Sequence, residues 1–397
     1  MSFDPKEHPT EEWIAGLRAR YPTERYVDRA LTRKLRTRTD KAYQPQTAEN
    51  IAERLREFLE KEIRGPFSVS NISALTGGAS KEQFSFHLRW QDADGSARSE
   101  RLVLRITPGA SAAETHRLRE FQLMGALQGA LPVPSPRWID PEGAIFGQPC
   151  LICSFCEGVT KPSGEAVSGM RTSFGPDYRK ALAPQFIRHL ANLANVDWRK
   201  HDLSAFDAPQ QGTREGVIQQ LNWWERVWAE DSVAAEPLLT LVGHWLRDNA
   251  PTVDQVSIVH GDYRAGNFLF SPTTLQISAI LDWELAFLGD RHADLAYVID
   301  PLFSEHSETG ETLVCGLCTR DVFLDEYARC SGLPVDPERL RYYEILMGWR
   351  NSVIALGGGS RCAVGQTSHQ DIMFAWLVPG VAPICLGALR KLVKDLF

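Results

Sequence analysis

The chain has 397 residues, with 43 Lys and Arg against 50 Asp and Glu, a formal charge of −7. Charged residues make up 23% and apolar ones 43%, proportions that exclude intrinsic disorder and collagen-like repeats as the main state. The mild acidity argues against non-specific binding to nucleic acid or to a membrane surface.

Met1–Glu7 is polar rather than an apolar leader. The least polar stretch, 373–389, is broken by Pro379 and Pro383. The expectation is a soluble, cytoplasmic protein with no membrane span. Residues 1–65 read as a helical extension. Ile51, Leu55, Phe58, Leu59 and Ile63 recur at helical spacing, so one face should pack. Arg29, Arg33, Lys34, Arg36, Arg38 and Lys41 crowd into thirteen residues. They form either a solvated helix face or a patch for an anion.

Residues 66–157 read as a sheet lobe. Phe84, Phe86, Leu88 and Trp90 alternate with polar neighbours, as on a half-buried strand. A polar turn with Asp94-Gly95 leads to a second strand, Arg101–Ile106. A helix is expected from Ser111, with Ser111 and Glu114 as a capping box and Leu118, Phe121, Met124 and Leu127 along it. Cys150–Phe155 is a further strand. From 158 to 397 helices dominate, interrupted by one strand–loop–strand unit between Val256 and Leu288. The outline is α+β in two lobes, a small antiparallel sheet lobe with one helix and a larger, mainly helical lobe.

Cys150, Cys153 and Cys156, and the pair Cys315 and Cys318, carry metal-site spacing. Strand residues three apart face opposite ways, so buried thiols are the simpler expectation. Six tryptophans (Trp223, Trp224, Trp228, Trp245, Trp349 and Trp376) could box a quaternary amine. At helical spacing, core packing explains them more simply.

The strongest chemical signal is His260-Gly261-Asp262-Tyr263-Arg264-Ala265-Gly266-Asn267, followed by Asp282-Trp283-Glu284. Phosphoryl transfer from ATP needs a carboxylate that positions or deprotonates the acceptor hydroxyl, and hard oxygen ligands for magnesium. Asp262 and Asn267 have the spacing H-x-D-x-x-x-x-N of a kinase catalytic loop, and Asp282 stands where a metal-binding Asp belongs. Arg264 could offset charge on the transferring phosphate. An Asp262 exposed in a cleft would tolerate Asp262→Ala with little loss of stability.

Gly77, Gly78, Ala79 and Ser80 form a small-residue turn that either lets backbone amides approach phosphates or is a plain hairpin. Val103 and Arg105 share a strand face, so Val103 could cover adenine while Arg105 reaches the phosphates. Glu120 is the natural partner of Arg105.

These residues carry a resemblance to the aminoglycoside phosphotransferase / choline kinase-like superfamily of small-molecule kinases. Within it, the chain resembles the phosphotransferase domains related to those fused to some acyl-CoA dehydrogenases. The likeness runs through Leu75–Ser80, Val103–Arg105, Glu120, His260–Asn267, Asp282–Glu284 and Gly289–Tyr297, over roughly residues 68 to 375. It implies a protein-kinase-like fold, ATP and Mg2+ as cofactors, and a small-molecule hydroxyl as acceptor. It further implies Asp262 as catalytic base, Asn267 and Asp282 as metal ligands, Cys153, Ser154 and Phe155 as the adenine hinge, and Asp294 as a brace of the loop. Arg105 replaces the usual lysine. A second reading is a nucleotide-binding pseudokinase that serves as an interaction module.

Overall fold

The computed structural model describes residues 4–38, 46–75, 82–91, 95–107, 113–163, 171–361 and 371–397, the last with side chains from 378. Three helices come first: α1 (Glu11–Arg20), α2 (Arg25–Arg36) and α3 (Ala48–Glu62). Thr10 and Thr47 start α1 and α3, their hydroxyls accepting the amides of Trp13 and Asn50. The expected apolar face of α3 is buried against Phe84, Phe86, Leu102, Leu104 and Ile106 of the sheet.

Helix α2 does not use its basic residues as a uniform solvated face. Lys34 is buried, with Nζ 2.6 Å from Asp231 and 3.1 Å from Glu230, and Arg38 reaches Asp231 at 2.5 Å. Nearby, Glu24 holds Arg119 at 2.7 Å and Asp28 holds Arg226 at 2.6 Å. Lys34→Ala strips a buried carboxylate pair of one cation. It should lower stability by on the order of 3 kcal/mol, read from the denaturant midpoint. An unchanged midpoint would mean that this pair does not hold α2 in place.

The sheet contains β1 (Phe67–Ala74), β2 (Glu82–Gln91), β3 (Ala97–Ile106), β4 (Pro136–Asp140) and β5 (Cys150–Ser154), with α4 (Arg117–Ala126) between β3 and β4. It is wholly antiparallel, in the order β1-β2-β3-β5-β4. Leu102, Leu104 and Ile106 face α3, whereas Val103 joins the core of Leu123 and Met124 from α4. Cys150 and Cys153 likewise fall on opposite faces. Among the described residues, no group of three or more His, Cys, Asp or Glu is placed to hold a metal.

The helix expected from Ser111 begins six residues later, at Arg117. His116 Nδ1 accepts the Leu118 amide in place of the capping box. Glu114 is buried outside the helix, 3.9 Å from Arg33 of α2. Tertiary pairing with the N-terminal helices outweighs the local cap; Ser111 lies outside the described residues.

The larger part holds α5 (Pro176–Ala194), α6 (Glu215–Asp231), α7 (Pro237–Asp248), α8 (His292–Val298), α9 (Arg320–Ser331), α10 (Pro337–Val353) and α11 (Asp371–Val393). Its short strands β6 (Ser257–Val259) and β9 (Phe287–Gly289) pair, as do β7 (Phe268–Phe270) and β8 (Ile277–Ile280). Trp223, Trp224 and Trp349 are buried, and the first two stack at 4.9 Å, so these three are core. The Trp376 side chain lies outside the described residues. None of the described helices is long and apolar enough to cross a membrane. The architecture is the expected α+β one.

Candidate active site

The loop from β6 to β7 is shaped by one glycine and one buried carboxylate. Gly261 has φ +80°, and a Cβ there would lie 2.4 Å from the Leu285 carbonyl oxygen. Left-handed backbone alone costs an L-residue about 1–2 kcal/mol. Gly261→Ala should therefore lower the melting temperature, and an unchanged melting curve would contradict this packing. Asp294 of α8 accepts the amides of His260 at 2.7 Å and Gly261 at 2.9 Å. Burial pushes its carboxyl up to about 7.

His260 is buried, which holds its imidazole neutral by lowering its pKa to about 4. Its Nδ1 accepts the Asp262 amide at 3.2 Å, so Nε2 donates to the Leu281 carbonyl at 2.9 Å. One ring thus ties the loop to the segment that carries Asp282. The Trp283 ring packs on it at 4.3 Å.

Asp262 is only 15% exposed at its side chain. Its Oδ2 accepts from Asn267 Nδ2 at 2.6 Å and its Oδ1 from Arg264 Nε at 3.1 Å. The condition of an exposed Asp262 is not met: Asp262→Ala would remove the acceptor of Arg264 Nε and one of the two acceptors of Asn267 Nδ2. Asn267 Nδ2 also donates to the Asp262 carbonyl at 2.9 Å, which leaves its Oδ1 available to a ligand.

Asp282 sits in left-handed backbone, φ 68° and ψ 53°, unusual for a non-glycine residue and typical of functional sites. Burial, then the neighbouring Glu284, raise its carboxyl to about 7, with Asp262 and Glu120 adding to the rise. Arg105 Nη2 lies 3.4 Å from its Oδ1, and Arg105 Nη1 donates to Glu120. Glu120 is gripped a second time by Arg117, one helical turn earlier. Asp262, Asn267, Asp282, Arg105 and Glu120 therefore form one polar cluster between sheet and helices.

Val103 and Cys153 are buried and pair across β3 and β5. The Ser154 amide donates to the Ser135 carbonyl and the Phe155 amide to the Arg101 carbonyl, so both are spent within the sheet. Arg101 also lies over the Phe155 ring at 3.6 Å. Gly77, Gly78, Ala79 and Ser80 fall outside the described residues. Two neighbours of the cluster were assigned no function from the sequence, although Tyr297 closes one of the stretches that carry the resemblance. The Tyr297 hydroxyl is held far above its ordinary pKa by burial and by Asp262, and the Arg350 guanidinium lies 4.7 Å over the Tyr297 ring. The signal for Tyr297 was its place three residues after Asp294, on the same side of α8.

Residues 71–342 match the model of a family described as the phosphotransferase enzyme family, and the chain belongs to that family. That membership places the chain among phosphotransferases. Acyl-CoA dehydrogenase family member 10 of Mus musculus is 26% identical over 79% of this chain, which spans only 29% of that protein's length. Streptomycin 3''-kinase of Streptomyces griseus is 30% identical over 60% of this chain and 81% of its own. Among solved structures, a candidate aminoglycoside phosphotransferase from Ralstonia eutropha superposes with a TM-score of 0.59 at 21% identity, covering 86% of this chain and 98% of that one. A thermostable mutant of aminoglycoside phosphotransferase APH(4)-Ia, in ternary complex with ADP and hygromycin B, gives 0.52 at 16%, covering 85% and 97%. The fold is thus the protein-kinase-like one of these enzymes. Nothing in these comparisons favours the pseudokinase alternative.

Proposed function

We propose that this chain moves the γ-phosphate of ATP to a hydroxyl of a small molecule, with Asp262 as the base. The observation that carries the reading is the Asp262 carboxylate held by Asn267 and Arg264 in the same cluster as Asp282 and Arg105. The solved neighbour that holds ADP and hygromycin B supports it by fold analogy. The nucleotide would sit between a sheet lobe, residues 66–157, and a helical lobe, residues 158–397, with residues 1–65 as an N-terminal extension.

In this reading Asp262 aligns the acceptor hydroxyl and takes its proton as the acceptor oxygen bonds to the γ-phosphorus. The bond from the γ-phosphorus to the bridging oxygen breaks, and that oxygen leaves with ADP. Arg264 keeps a positive charge beside the transferring group. Arg105, pinned by Glu120, has its Nε without a partner and would donate to the α- and β-phosphates. With the Ser154 and Phe155 amides spent, an adenine contact at this edge falls to carbonyls of 153–155 or to the residues that follow. Gly77 to Ser80 would cover the phosphates.

The donor set fits magnesium. Asn267 Oδ1 and the Asp282 carboxylate are hard oxygens, and the carboxylates crowded around Asp282 make a site that a divalent cation would relieve. Bound there, the ion would neutralise phosphate charge. The acceptor stands open among amino sugars, amino alcohols and hydroxyacyl thioesters, the last suggested by the acyl-CoA dehydrogenase relatives. The test is ADP release by the full chain over a panel of these hydroxyl compounds, with ATP and magnesium. An acceptor-dependent rate in the parent that vanishes in Asp262→Asn supports the reading; equal rates in both proteins would refute it.

A further inference from the structure

A cavity of about 500 Å³ lies between α2 and the start of α4, with Pro141 and Pro149 on its sheet side. No residue of the 260–267 loop lines it. Its lining carries Arg18, Asp28, Arg29, Arg33, Arg36 and Arg117, so cations dominate. Asp28 is already engaged by Arg18 and Arg226, and Arg36 by Glu11. Glu142 stands at the rim with its side chain 77% exposed.

That pairing leaves charge unanswered. Arg29 has no carboxylate partner among the described residues and only stacks on the Tyr26 ring at 4.7 Å. Arg33 comes no closer than 3.9 Å to Glu114. Arg117, fully buried, gives Nε to Thr107 Oγ1 at 2.8 Å and Nη1 to Glu120, while its Nη2 has no partner. A buried donor without a partner costs free energy, and native structures keep few of them. His116 on the same wall is pushed down to about 4 by burial and by Arg33 and Arg29, as positive surroundings require. Thr32, Thr37 and Thr115 line the same space.

We infer that this cavity is a second binding site, outside the phosphotransfer cleft, for a phosphate-bearing small molecule. Arg29 and Arg33 supply the charge-assisted contacts, and Arg117 closes the buried wall. The space exceeds what one phosphate fills, so the ligand carries more than the anion. Arg117 also grips Glu120, so the site and the arm that holds Arg105 share a residue. Occupancy does not depend on whether Asp262 catalyses.

The probe is inorganic pyrophosphate, titrated calorimetrically into the full chain at ionic strength fixed with potassium chloride. The parent should bind it saturably. Arg29→Ala and Arg33→Ala should each weaken binding severalfold, and the double variant about tenfold or more. The single variants decide the matter if the double one does not fold. Absence of saturable binding in the parent, or isotherms unaltered by the arginine variants, would overturn the site.

Discussion

Asp262→Asn should lower phosphoryl transfer by about two to four orders of magnitude while the protein stays folded. The substitution keeps the shape of the side chain and removes its ability to take a proton. It also turns one acceptor oxygen into a donor. That donor must face either Arg264 Nε or Asn267 Nδ2, both of which now give their hydrogens to the carboxylate. The loss of one such contact at a partly exposed site costs about 1 kcal/mol, or a few degrees at most in a chain of this size. The two effects therefore separate. The coupled assay of ADP release should fall to background while the melting curve moves little. Asp262→Ala should be worse on stability, because the half-buried guanidinium of Arg264 then loses its nearest counter-charge. A rate retained in Asp262→Asn would remove the carboxylate from the chemistry, whatever the melting curve showed.

Asp294→Ala should be the most destabilising change around the 260–267 loop. It removes the acceptor of two buried backbone amides, His260 and Gly261, and nothing else on the described chain accepts from them. Each orphaned buried donor costs about 1–3 kcal/mol, so the total is on the order of 2–6 kcal/mol. Transfer should be lost as well, since the position of Asp262 follows from that turn. The pH dependence carries a definite sign. The Asp294 carboxyl is raised to about 7 in the folded chain, first by burial, above its ordinary value of 3.8. The folded state therefore holds this proton more tightly than the unfolded one. The stability tied to it is fully present below about 4 and is lost as pH rises through about 7. Denaturant midpoints between pH 6 and 8 should decline in the parent and decline less in Asp294→Asn. Asp282 is raised for similar reasons in both proteins, so the difference isolates Asp294. Parallel pH profiles would show that this carboxyl does not titrate there.

Several features were legible because they are local. The period-2 alternation of Phe84, Phe86 and Leu88 yields a strand with those three side chains buried. The spacing from Asp262 to Asn267 brings the two side chains into contact because a tight turn of fixed length joins them. Cys150 and Cys153 fall on opposite faces because strand geometry leaves no other choice. The pairing of Arg105 with Glu120 needed one further step, a strand beside the helix that follows it. The start of α4 was not legible, since the burial of Glu114 outside the helix, with Arg33 of α2 3.9 Å away, depends on packing against a segment some eighty residues away in sequence.

By itself, the amino-acid sequence determined the α+β class, the strand faces and the turn that joins Asp262 to Asn267, all of which rest on contacts between near neighbours. Only the tertiary structure decided that Lys34 and Arg38 are spent on α6 while Arg29 and Arg33 open onto a cavity. It alone placed Tyr297 and Arg350 beside the 260–267 loop and showed Asp262 to be enclosed. A cation's role depends on which carboxylates come within a few ångströms of it. Long-range packing sets those distances, and no periodicity in the sequence encodes them.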